Sequence, residues 1–474
     1  MIMTKNTGIW GIDEEDLDVQ DLLDRMEEFY ETGLTRNLDF RKRMLSKLKI
    51  VIQENEGQIM EALYKDLGKS KEESYTTEIG IIYENIGYFI KNLDRFSRKK
   101  KVRRHKTNMF SIGEIYREPY GKVLVISSFN YPFQLTMEPL IGALAAGNTV
   151  ILKPSDQSSF TEKIIGKIIS EAFPPEYVNV IYGGKEVVEQ LTSASFDYIF
   201  FTGSPRTGKE VMRNASNHLV PVTLELGGKS PAIVGKRANI RNAARKIAYG
   251  KFLNAGQTCI APDYVVVHEE VKDQFILEME NALKRFYGSN PKVSKDFSRI
   301  INERAFIRLR DMLDKDRDKV IYGGDTDLLS CYIGPTMLYS DDFELHTMNE
   351  EIFGPILPII SYKDINQVIG QVKSMGKPLA LYIFTEDKKV QEGILKRLSF
   401  GGGAVNDTLF HITSPYMPFG GVGGAGMGRY HGKYSMLTFT HEKAILKSNS
   451  FLNLKFQEPP MNKFKFELIR NVMK

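Results

Sequence analysis

VLVISSF (123–129), NTVILKP (148–154), VNVIYGG (178–184) and YIFFTGS (198–204) are short, nearly continuous apolar runs. Stretches with helical spacing follow each of them, at about 134–146, 159–172, 185–194 and 206–215. The runs lack the polar alternation of a half-exposed strand, so each is expected to be buried on both faces. Strands of that kind alternating with helices predict a parallel sheet covered on both sides. Such sheets bind ligands beyond the carboxyl ends of their strands. Those ends carry residues 127–130, 153–156, 183–184 and 202–204.

Towards the N-terminus, residues 36–68 read as one amphipathic helix, with Phe40, Met44, Leu48, Val51 and Ile52 on a single face. A second helical pattern covers 75–96. The run RKKKVRRHK (98–106) has no interleaved aromatic residue and no accompanying nucleic-acid motif. It is read as a solvated connector rather than a phosphate-binding patch. Towards the C-terminus, a second α/β block starts at PVTLELGGKSPAIV (221–234). It continues through YVVVHEE (264–270), a long helical stretch to about 318, and LPIISY (357–362).

The expected fold class is therefore α/β. A Rossmann-like parallel-sheet cofactor domain takes 1–222, and a second α/β catalytic domain takes 223–405. Residues 406–474 form a returning C-terminal segment. A small β oligomerisation element combines 107–122, including EIYREPY (114–120), with part of that segment.

A chain of 474 residues is long enough for two or three domains. Its 42% hydrophobic and 26% charged residues are the balance of a soluble globular protein. A net charge of +5 over this length implies no nucleic-acid partner. The two cysteines, Cys259 and Cys331, cannot form a secreted disulfide framework. A reducing, cytoplasmic setting is expected. The start, 1–18, lacks the apolar core of a signal peptide. No run approaches the roughly 18 apolar residues of a membrane helix, and the tail 451–474 mixes Lys, Glu and Phe, so no membrane partner is expected.

GSPRTGKE (203–210) nearly spells a phosphate-binding P-loop, but Glu210 replaces the hydroxyl that would hold magnesium. A nucleotide triphosphatase is excluded on that ground. Gly203 and Ser204 still close a strand and open a helix, whose free N–H groups suit a pyrophosphate. GVGGAG (421–426) matches a dinucleotide fingerprint only in its glycines; a tight, crowded loop is the better reading. GQTCIAP (256–262) puts Cys259 in a small polar segment after a helical stretch. That is either a buried small hydrophobe or a nucleophile. LELGGKS (224–230) puts Glu225 at a strand end, as a general base or as a carboxylate bonded to loop amides. SSFNYPF (127–133) puts Asn130 at a strand end, to donate to an oxyanion or to cap a turn. Cys331 has no such context and is left as a packing residue. No metal site is expected.

In their order, these segments resemble the aldehyde dehydrogenase superfamily: FNYPF (129–133), ILKPSDQS (151–158), FTGSPRTGK (201–209), LELGGKSP (224–231), GQTC (256–259), EEIFGP (350–355) and PFGGVGGAGMG (418–428). NYPFQLTMEPLIGALAAGN, GQTCIAPDY and NDTLFHITSPYMPFGGVGGAGMGRYHGKYS resemble its class 3 branch. The resemblance implies NAD(P)-dependent oxidation of aromatic or medium- to long-chain aliphatic aldehydes, by a homodimer.

It further implies Cys259 as nucleophile, Glu225 as general base, and Asn130 with the Cys259 backbone N–H as oxyanion hole. Lys153 would bond the adenosine ribose and Ser204, beside Gly203, the pyrophosphate. Leu226 would line the cofactor site, and Glu351 would hold the nicotinamide ribose with Phe353 packed beside it. Asp156 stands where the family usually has Glu. Shorter by one methylene, it leaves room for a 2′-phosphate beside Lys153 or Arg206, so the cofactor is NADP or NAD. Phe129, Tyr131, Phe410, Tyr416 and Phe419, with His411 nearby, are candidates for the aldehyde channel. The rival readings are a coenzyme A-acylating enzyme, which typically lacks the base, and a non-catalytic binding protein.

Overall fold

The computed structural model describes residues 11–106, 110–451 and 458–473. The first ten residues, positions 107–109 of the expected oligomerisation element, and 452–457 and 474 of the tail lie outside the described residues.

The four opening runs form the strands Lys122–Ile126, Thr149–Lys153, Val178–Val180 and Tyr198–Thr202. Three of them are buried along almost their whole length, as continuous apolar runs require. The helices between and after them are Pro132–Ala146, Ser159–Ala172, Lys185–Thr192 and Pro205–Ala215. These strands pair in parallel, in the spatial order Tyr198–Thr202, Lys122–Ile126, Thr149–Lys153, Val178–Val180. The chain thus builds outward from Lys122–Ile126, then returns to its other side. That reversal opens a crevice between the ends of Lys122–Ile126 and Tyr198–Thr202.

Val222–Glu225 extends this first sheet, pairing in parallel with Tyr198–Thr202, and Gly426–Met427 closes it antiparallel. The first sheet therefore runs three residues past the boundary expected at 222. The second sheet has seven strands. Its parallel part runs Thr336–Ser340, Ile356–Tyr362, Tyr264–His268, Pro231–Val234, Ala380–Phe384, Gly402–Val405, and Val320–Tyr322 is added antiparallel at one edge. The loop 226–230 is where the chain leaves one sheet for the other.

Several expected elements are divided. The helix expected over 36–68 is two helices, Leu38–Glu54 and Glu56–Leu67, with Asn55 between them. Leu48, Val51 and Ile52 are buried, and Phe40 and Met44 pack against the same core half-buried. The stretch to 318 is likewise two helices, Lys272–Tyr287 and Glu303–Lys315. The helix expected over 75–96 begins earlier, at Lys71, and passes through a π turn at Tyr75–Ile79 before Gly80–Ser97. Lys100–Lys101, inside the basic run, pairs with Ser111–Pro119, which in turn pairs with Thr440–Ser448. The run is exposed, as a connector would be, but two of its residues form a sheet edge.

Candidate active site

Cys259 follows the helix Ile240–Phe252 across a tight turn. Asn254, Ala255 and Gly256 all have positive φ there, at 53°, 49° and 76°. A Cβ on Gly256 would lie 2.3 Å from the Gly354 carbonyl oxygen, so only glycine lets this turn press against the 350–355 loop. Asn130 lies between the strand Lys122–Ile126 and the helix Pro132–Ala146. Its side-chain N–H donates to the Gln257 carbonyl at 3.0 Å, two residues before the cysteine. An amide has two N–H donors, and this bond engages one of them. The neighbouring Tyr131 hydroxyl is 2.6 Å from the Thr258 hydroxyl.

Glu225 ends its strand almost wholly buried. Neither of its carboxyl oxygens has a hydrogen-bond partner among the described residues. Burial alone pushes its pKa well above the usual carboxylate range. Burial likewise pushes the Cys259 thiol up to about 12, and Glu351 and Glu225 add to the rise. Burial thus opposes charge on both the thiol and the carboxyl group.

Cys259, Asn130, Glu225, Leu226, Glu351 and Phe353 line one cavity of about 620 Å³. Gly203 and Ser204 stand on its wall and also on that of an adjoining cavity of about 1110 Å³, which Lys153 and Asp156 line as well. The ten residues expected to serve catalysis or cofactor binding thus line these two adjoining cavities. Ser204 is the N-cap of Pro205–Ala215, with its hydroxyl accepting from the Thr207 N–H. The buried Thr202 hydroxyl on the same wall lacks a partner among the described residues. Gly227 lets the Glu351 carboxylate approach so closely that a Cβ there would sit 2.0 Å from it. A helix N-terminus, a long crevice and an unpartnered hydroxyl suit a dinucleotide.

Residues 13–445 match the model of the aldehyde dehydrogenase family. The chain belongs to that family. It is 47% identical over 446 residues to 4,4′-diaponeurosporen-aldehyde dehydrogenase of Staphylococcus aureus, covering 94% of this chain and 97% of that one. It is 42% identical to the dimeric NADP-preferring aldehyde dehydrogenase of Rattus norvegicus, covering 90% of this chain and 94% of that one. A solved structure described as the substrate-bound state of Staphylococcus aureus AldH superposes with a TM-score of 0.95 at 46% identity, covering 97% and 100% of the two chains. Family 3 members are among the other relatives, at about the same identity. NAD(P)-dependent aldehyde oxidation is the activity of this family, and class 3 is its branch.

Within this dehydrogenase several expectations need correcting. Arg206 does not line either cavity in this structure; its side chain is 87% exposed and lies 3.9 Å from Glu210. Lys153 is buried, bonded to the Pro154 carbonyl and 3.4 Å from Glu162. The proposed channel aromatics are scattered. Phe129 lines the crevice 5.8 Å from Phe353, but Phe419 is core, Phe410 stacks on Tyr249, and Tyr416 is largely exposed against Tyr88. His411 is held neutral by burial, its pKa pushed down to about 4, and neither ring nitrogen has a partner among the described residues.

The sequence reading also missed the residues that hold the Glu351 loop. Lys229 donates to Asp263 at 2.5 Å and to the Thr347 and Glu350 carbonyls at 2.9 and 2.8 Å. Asp263 accepts from the Ile352 N–H at 3.0 Å, and Arg308 donates to the Ile352 carbonyl at 2.5 Å. Lys229 directly follows the LELGG motif and Asp263 lies four positions after Cys259; that closeness was the available signal. Arg308, in the middle of a helix, gave none.

Proposed function

We propose that this chain oxidises apolar aldehydes, aromatic or medium- to long-chain aliphatic, to carboxylic acids through a covalent bond to Cys259. The observation that carries the reading is the meeting of Cys259, Asn130 and Glu225 on one cavity that continues into a dinucleotide-sized crevice. The Cys259 thiol gives its proton to water, its sulfur bonds to the carbonyl carbon, and the carbonyl π pair moves to oxygen. The free side-chain N–H of Asn130 and the Cys259 backbone N–H stabilise that oxyanion. When bound, oxidised nicotinamide would supply the hydride acceptor. Loss of hydride from the thiohemiacetal carbon leaves a thioester on Cys259. Glu225 then takes a proton from water, the hydroxide adds to the thioester, and the carbon–sulfur bond breaks to release the acid.

For the cofactor, we assign Gly203 and Ser204 to the pyrophosphate, Lys153 and Asp156 to the adenosine ribose, and Leu226, Glu351 and Phe353 to the nicotinamide end. A cofactor unit at 1–222 extended to the loop 226–230, a catalytic unit to 405 and a returning segment from 406 is the division that fits these roles. The assembly is a homodimer working in the cytoplasm. Apolar walls support the substrate class, since Phe129, Leu135, Val372 and Met375 line the cavity of Cys259. The staphylococcal relative is named as a 4,4′-diaponeurosporen-aldehyde dehydrogenase.

The test is a steady-state panel of acetaldehyde, benzaldehyde, hexanal and decanal, each with NAD and NADP. Benzaldehyde and decanal should exceed acetaldehyde at least about 10-fold in kcat/KM, since each buried methylene is worth ~0.8 kcal/mol. Cys259→Ala should abolish turnover. Retained turnover, or a preference for acetaldehyde, overturns the corresponding part.

A further inference from the structure

Behind the Asn130 side lies a buried set of charges that the reaction does not touch. Lys69 and Glu78 form an ion pair of 2.5 Å with both side chains wholly inaccessible to solvent. Glu78 sits in the π turn Tyr75–Ile79, an irregularity of helices that often marks functional positions. Its second oxygen accepts from the Phe133 and Gln134 N–H groups at 2.9 and 3.2 Å, at the start of the helix that follows Asn130.

Lys69 donates to the Asn130 carbonyl at 2.9 Å, and its ammonium lies 4.0 Å from the centre of the Tyr131 ring. Asn254 donates to the same Asn130 carbonyl at 2.7 Å and to the Gln257 carbonyl at 3.1 Å. The Asn254 N–H donates to Glu73, which also accepts from Ser298. One buried network therefore grips the Asn130 backbone from Lys69 and the cysteine turn from Asn254, and joins the two.

We propose that Lys69, Glu78 and Asn254 are positioning residues that set Asn130 against Cys259, fixing the oxyanion donor relative to the thiol. A buried ion pair is a poor source of stability, so its presence here needs another reason. An ammonium and an amide converging on one carbonyl, with a carboxylate fixing the next turn of helix, leave the Asn130 side chain little freedom to swing. Catalysis by such a donor depends on its being held before the charge develops. The inference rests on the oxyanion role proposed above for Asn130.

The test measures the single-turnover rate of reduced-cofactor formation with enzyme in excess over aldehyde. The proteins are wild type, Lys69→Met, Asn254→Gly, Asn130→Ala and the Lys69→Met/Asn130→Ala double variant. Glycine keeps the positive φ of position 254 accessible while removing its amide. Lys69→Met and Asn130→Ala should each lower the rate constant about 10²-fold, the usual loss for an oxyanion donor. Their cofactor dissociation constants should stay within about twofold, and the double variant should be scarcely slower than Asn130→Ala, because the two act as one unit.

Protein that is merely less well folded would keep the wild-type rate constant once active enzyme is saturating, and that result overturns the inference. So does a double variant whose loss is the product of the single losses. A slow Asn130→Ala with a normal Lys69→Met overturns the positioning role alone. A normal Asn130→Ala overturns the oxyanion reading, and the inference with it. Should Lys69→Met fail to fold, Asn254→Gly carries the same comparison, and a wild-type rate there is decisive against it.

Discussion

Cys259 and Glu225 share a desolvated pocket, and desolvation opposes charge on both. For the thiol this gives a direct expectation, because a pKa pushed up to about 12 leaves almost no thiolate at neutral pH. Iodoacetamide should inactivate the cofactor-free protein slowly at pH 7, with a rate that climbs through pH 10 without levelling. A plateau by pH 8 would show that something other than burial governs this thiol. For Glu225 the sign runs through stability. Its folded pKa lies above its unfolded value, so the relative stability it allows is full below about pH 4.3 and is lost as pH rises towards the folded value. Glu225→Gln escapes that loss. The variant should gain on wild type as pH rises above the unfolded value, seen as a larger difference in melting temperature at pH 8 than at pH 5. Equal melting curves at both pH values would mean that the carboxylate is better solvated than its burial indicates. The same variant should form reduced cofactor in a first turnover and then stall at the thioester.

At the scale of elements, the catalytic turn is a contact between two loops. Gly256, at φ 76°, lies against the Gly354 carbonyl with no room for a methyl group. Gly256→Ala should therefore cost roughly 1–3 kcal/mol in stability and lower kcat by at least about 10-fold, even though position 256 itself does no chemistry. Wild-type kcat in a correctly folded Gly256→Ala protein would show that the two loops need not meet. The strands of the first sheet were legible because continuous apolar runs such as 148–154 have one packing solution. The boundary at Asn55 was not, because apolar spacing continues straight across it from Ile52 to Ile59 and only the backbone turns. The GVGGAG loop was rightly read as crowded: a Cβ on Gly426 would lie 2.1 Å from the Leu224 carbonyl. Cys259, Glu225 and Asn130 were legible as motif residues. Lys229 and Asp263 stood near those motifs, but Arg308 was not legible, since a charged residue within a helix carries no local sign that its partner lies 44 positions away.

At the scale of the whole molecule, the small sheet that ends in Thr440–Ser448 has an open edge among the described residues. Thr440–Ser448 is nine residues long and pairs on one side with Ser111–Pro119, and all but its first residue are exposed. Lysines commonly blunt such an edge against association. Here Lys443 and Lys447 are instead neutralised within the same sheet by Glu118 and Glu114. Ile445 and Leu446, 36% and 51% exposed, are left on the open strand. A second copy of the chain is the partner that fits the proposed homodimer, and this strand is where it should dock. Wild-type protein should sediment at twice the mass of the chain at micromolar concentration. Replacing Ile445 and Leu446 together by aspartate removes at least about 3 kcal/mol of apolar burial, or roughly 10²-fold in the dimer dissociation constant. That variant should shift towards single chains while keeping its melting temperature, because neither side chain belongs to the core. A wild-type protein that sediments as one chain removes the dimer, and a double variant that stays paired moves the interface away from this strand.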